Sequence, residues 1–104
     1  MSRYRKKPVE VEAREWDGTA EGATQLIEWM LDNDTTARFR EAESFLPGGH
    51  PHTSARLAID TLEGTMHAHQ GDWIVCGVAG EFYPVKGSIF RETYEPADGE
   101  AVPS

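Results

Sequence analysis

The sequence predicts an α+β fold: a mainly antiparallel, strongly curved, barrel-like sheet with one principal helix packed on it. Three observations carry that expectation. Val9, Val11 and Ala13 alternate with Glu10, Glu12 and Arg14, the period-two pattern of a half-buried strand. Ala23, Leu26, Ile27, Met30 and Leu31 fall instead at i, i+3, i+4, i+7 and i+8, the stripe of an amphipathic helix. From Ala55 onward the chain breaks into short strand-like runs separated by glycine turns, a meander that curls on itself when each strand pairs with the next.

The elements follow in order. Residues 8–16 form the first strand, and Asp17-Gly18 turns the chain. Thr19 is placed to cap the helix, Gly22 weakens its first turn by up to ~1 kcal/mol relative to Ala, and Asn33-Asp34 ends it. Residues 36–40 alternate again, with Ala37 and Phe39 opposed to Arg38 and Arg40. Residues 41–54 read as a loop, because two prolines and two adjacent glycines cannot continue a ladder or a helix. Leu57, Ile59 and Thr61 share a strand face. A Glu63-Gly64 turn then sets Thr61 opposite Met66 and Ile59 opposite Ala68. Gln70-Gly71-Asp72 is a second turn, and Trp73 to Cys76, apolar on both faces, reads as an interior strand. A bend at residues 77–80 leads to a strand that Pro84 ends. Ser88 caps a single helical turn that sets Ile89 and Phe90 on the sheet, and Tyr94 begins a closing strand. The domain spans residues 1–95, and the proline- and glycine-containing tail 96–104 is expected to be disordered.

At 104 residues, with 38% of them in the apolar set, the chain suits one core and excludes a second full domain. Cys76 is the single cysteine, so no internal disulfide forms. No run approaches the ~20 apolar residues of a membrane span, and no apolar leader follows the basic start, so a cytoplasmic location is expected. Net charge is −8. Four of the ten basic residues lie within the first seven positions, leaving six against 18 acidic residues from Pro8 onward. A body that acidic repels phosphate backbones, so no nucleic acid is expected on it, and no membrane.

Candidate sites are few. His67 and His69 lie two apart on a strand, with Asp60 opposite His67 in the expected register. These three are the metal-ligand candidates, and His50 and His52 form a second pair in the loop. No established zinc spacing accompanies them. Cys76 lies inside an apolar strand, where burial raises a thiol pKa and makes a nucleophile improbable. Glu10 and Glu12 read as outward, solubilising acids. The Gly71-Asp72 and Gly77-x-x-Gly80 elements join strand to strand and lack the following helix that a phosphate loop needs. Trp16 and Trp29 fall outside the apolar rows and are candidates either for packing at the core edge or for contact with a partner.

Two stretches resemble a known group. Tyr4 to Ala13 with Trp16, and Thr61 to Met66 continuing through Gly71-Asp72-Trp73-Ile74, Gly77-Val78, Gly80 to Pro84, Ile89-Phe90 and Thr93-Tyr94-Glu95, resemble small proteins encoded by actinobacterial and other phages or prophages. That family has no assigned activity, so the resemblance implies a context inside a bacterial host cell and no catalytic residues. The shared positions are turn glycines, a proline entering a strand and aromatics, which build a fold. The expected function is therefore a non-catalytic interaction module, with no cofactor, that binds a host or phage protein or forms a homodimer through an exposed strand edge. A metal- or small-ligand-binding protein built on His67 and His69 is the alternative.

Overall fold

A computed structural model describes residues 2–4, 9–41 and 55–97. The expected loop at 42–54, with His50 and His52, and the tail at 98–104 lie outside the described residues. Element order is β1 (Glu12–Glu15), α1 (Ala20–Leu31), β2 (Ala37–Arg40), β3 (Arg56–Thr61), β4 (Gly64–Ala68), β5 (Trp73–Cys76), β6 (Phe82–Val85) and α2 (Gly87–Thr93).

The strands form two separate three-stranded antiparallel sheets, β1-β5-β6 and β2-β3-β4. This corrects the expectation of one strongly curved, barrel-like sheet: neither sheet is closed or strongly curled. The meander breaks between β4 and β5, which are consecutive yet unpaired. At that junction Gly71, with φ of +88°, takes the left-handed conformation that glycine adopts at no steric cost. Its N–H bonds to the Trp16 carbonyl at 2.9 Å, while the Trp16 N–H bonds to the Asp72 carbonyl at 2.9 Å. The chain is thereby handed from the second sheet to the first.

Helix α1 starts as expected. Thr19 is extended (φ −91°, ψ 159°) and its hydroxyl oxygen accepts from the Gly22 N–H at 2.9 Å, the N-cap bond that satisfies an orphan donor. Its buried residues are Ala23, Leu26, Trp29 and Met30, whereas Leu31 is 57% exposed. The stripe is rotated toward Trp29, whose ring meets Phe82 edge-on at 5.0 Å. Trp16, fully buried, packs edge-on to Phe39 at 6.1 Å and donates its indole N–H to the Thr19 carbonyl at 2.9 Å. The two tryptophans join α1 to both sheets around Leu57, Ile59, Ala68 and Ile74.

The β3–β4 hairpin differs from its expected register. Leu57 faces Ala68, Ile59 faces Met66 and Thr61 faces Gly64. The two-residue loop is Leu62-Glu63 rather than Glu63-Gly64, and Gly64 begins β4 at φ +111°. Moving the loop by one residue moves the pairing by two, so the apolar face is preserved. Pro84 lies within β6 instead of ending it, because β6 is an edge strand and the missing N–H interrupts no ladder on its outer side. Helix α2 begins at Gly87 with no side-chain cap, and Tyr94 forms no strand. Among the described residues no helix is long and apolar enough to cross a membrane.

Candidate functional site

Pairing assigns the two faces of the first sheet. Glu12, Arg14, Ile74, Cys76, Phe82 and Pro84 share the face toward α1, and Ala13, Glu15, Trp73, Val75, Tyr83 and Val85 share the other. Helix α2 covers part of that second face. Phe90 stacks on Trp73 with centroids 4.2 Å apart and planes 6° from parallel, and Tyr94 stacks on Phe90 at 4.7 Å and 17°. Below them Val75 is fully buried. The Tyr94 and Tyr83 hydroxyls lie 3.4 Å apart. Burial, with that hydrogen bond second, pushes the Tyr83 phenol up to about 12.

Coverage stops before β1. Val9 and Val11, which precede β1, and Ala13 within it line the floor of a groove of about 960 Å³, with Val9 54% exposed and Val11 and Ala13 half-buried. Trp73, Phe90 and Tyr94 form its wall, and Glu10, Arg91 and Glu95 contribute the charges around it. The Trp73 Nε1–H is closed off from solvent and has no acceptor among the described residues. Beside the groove runs the outer edge of β1, which pairs with no strand among the described residues.

Glu10 and Glu12 are exposed, as outward acids are expected to be; in addition the Glu12 carboxylate accepts the Trp29 indole N–H at 3.0 Å, and the Arg14 guanidinium sits 4.3 Å over the Trp29 ring. The charged row thus packs on α1 while the apolar row is left to the groove.

The other sequence candidates do not converge. Trp16 is fully buried and Trp29 is 8% exposed, so both belong to the core and neither presents a surface to a partner. His67 and His69 are exposed. The shifted register sets Ala58 opposite His67 and Thr65 opposite Asp60, which separates Asp60 from the histidine it was expected to join. The Asp60 carboxylate is already occupied: the Arg38 guanidinium grips it at 2.8 and 3.2 Å, and Thr36 and Thr65 donate to it at 2.6 and 3.2 Å. Those bonds hold its pKa far below the usual carboxylate range. His69 belongs to a turn, its backbone N–H bonded to the Asp72 carboxylate at 2.9 Å. Among the described residues no group of three or more His, Cys, Asp or Glu side chains could hold a metal ion. Burial raises the Cys76 thiol, and the nearby Glu12 and Glu81 carboxylates add to this. Such a thiol is a poor nucleophile.

Sequence reasoning missed the groove. Phe90 and Tyr94 at i, i+4 were a readable signal; that β1 would leave its apolar row uncovered was not. Comparison with family models, with curated proteins and with solved structures gives no match to this chain.

Proposed function

We propose that the protein is a non-catalytic interaction module, acting in the cytoplasm of a bacterial host in a phage or prophage context, that captures an extended segment of a partner protein along β1. The observation that carries this reading is the apolar groove lining of Val9, Val11 and Ala13, with Val9 exposed, at and just before the unpaired sheet edge β1 and beside an aromatic wall. Strand addition at such an edge supplies main-chain hydrogen bonds and places alternate side chains of the incoming segment over one face. Here those side chains lie over the apolar row. The intervening ones fall on the face of Glu12 and Arg14, where a cation placed beside Glu12 gains from the opposite charge across the strand pair. The segment therefore alternates apolar residues with Lys or Arg. The net charge of −8 draws such a partner at long range and opposes a second copy of the same chain.

A ten-residue peptide of alternating Val and Lys tests this by amide NMR titration, with alternating Val–Glu and a valine-free Lys peptide as controls. Saturable shifts at residues 9–15 and along α2 are expected for Val–Lys alone, and Val11→Asp should abolish them. The reading fails if no saturable shift occurs or if the shifts lie elsewhere. It also fails if the protein sediments as a dimer that Val11→Asp dissociates, since a second copy would then occupy the edge.

A further inference from the structure

The outer face of the second sheet carries charge opposite to the rest of the chain. Pairing places Arg40 directly opposite Arg56, Arg38 opposite Ala58, and Ala58 opposite His67. Among the described residues three arginines therefore share this face with one carboxylate, Asp60, which Arg38 takes in the two-pronged bond already described. Among the described residues Arg40 and Arg56 form no ion pair. The Arg56 Nε–H is also closed off from solvent without an acceptor. Like charges directly opposite across a β pair are destabilising, and a guanidinium fork without an acceptor leaves a buried donor unsatisfied. The first of these costs is removed by an oxyanion between the two side chains.

We infer that the Arg40–Arg56 pair is a binding site for a tetrahedral phosphate dianion, free or as a phosphomonoester. Directly opposite on adjacent strands, the two guanidiniums can reach different oxygens of one phosphate, the bidentate recognition that arginine favours and lysine cannot reproduce. The Arg38–Asp60 pair fixes one end of the face and, among the described residues, leaves the charge at the Arg40–Arg56 end without an ion pair. The site is on a different sheet from the groove and stands or falls independently of it.

Arginine side-chain NMR tests the site directly, with Nε–Hε resonances followed during titration with inorganic phosphate and, separately, with O-phosphoserine. Sodium chloride at matched ionic strength is the control. Saturable shifts at Arg40 and Arg56, with Arg38 nearly unmoved, are expected. Saturation by phosphate alone marks free phosphate as the ligand, and saturation by both marks the phosphomonoester class. Arg40→Gln should weaken binding at least tenfold while leaving the thermal midpoint of the free protein unchanged or higher. Arg56→Lys, which keeps charge and loses the fork, should weaken it as well. Shifts that chloride reproduces, shifts that do not saturate, or unchanged affinity in Arg40→Gln would overturn the site.

Discussion

The Glu12 carboxylate accepts the Trp29 indole N–H at 3.0 Å, a bond by which an exposed acid of the edge strand β1 is tied to α1. Removing the acceptor leaves a mostly buried N–H unpaired, which costs about 1–3 kcal/mol. Glu12→Ala should therefore lower the urea midpoint. Trp29→Phe will also destabilise, through lost contact with Phe82 and Arg14. The double variant should lose less than the sum of the two, because the first substitution already removes the shared bond. Additive losses would show that the bond contributes nothing.

At Gly22 a contact with Asp17 opposes the local helix propensity. Helix propensity alone makes Gly22→Ala stabilising by up to ~1 kcal/mol. A Cβ there runs into the Asp17 carboxylate, which accepts from the Thr19 N–H at 2.9 Å and its hydroxyl at 2.6 Å. These bonds hold the Asp17 pKa below its ordinary value and orient the Thr19 cap. Displacing Asp17 threatens a cap bond worth ~1 kcal/mol. Gly22→Ala should therefore destabilise in the native background and stabilise once Asp17 is replaced by Ala, as read by thermal melts of the four proteins.

Local patterns were legible where one residue's neighbours decide its state. Thr19, Ala23, Leu26 and Met30 define α1, and the alternation of Leu57 and Ile59 defines a strand face. What period two cannot encode is the partner. Trp73 to Cys76 reads as an interior strand whether it pairs with β4 or with β1, and only the Gly71–Trp16 bonds decide between them. The same blindness hid the groove. Val9, Val11 and Ala13 show which side of β1 is apolar, but not that α2 ends short of them. Asp60 was misassigned for a smaller reason, a loop moved by one residue.

The Asp60 cluster has a pH signature. Its pKa is lowered first by the Arg38 hydrogen bond, then by Thr36. A carboxylate depressed on folding contributes stability that is present above its unfolded pKa and is lost as pH falls through the lower folded value. Asp60 should therefore stay ionised well below pH 3.8, the ordinary value, when followed by carboxyl ¹³C shifts. In Arg38→Gln its midpoint should rise toward that value, and the acid dependence of stability below about pH 4 should weaken. An unshifted midpoint in the variant would show that the Arg38 fork is absent in solution.

Helix α2 is positioned by a contact too close for any side chain. A Cβ at Gly87 runs into the Gly71 backbone carbonyl, part of the turn that hands the chain from one sheet to the other. Backbone cannot yield there as a flexible side chain would, so Gly87→Ala must push α2 away from the turn at a cost of about 1–3 kcal/mol. Because Phe90 and Tyr94 are carried on α2, their stack on Trp73 should loosen. Near-ultraviolet circular dichroism should fall while the far-ultraviolet signal holds. Val–Lys peptide binding should weaken in the same variant, since the displaced aromatics are the groove wall. Retention of the stack and of full stability would mean that α2 does not rest on Gly71.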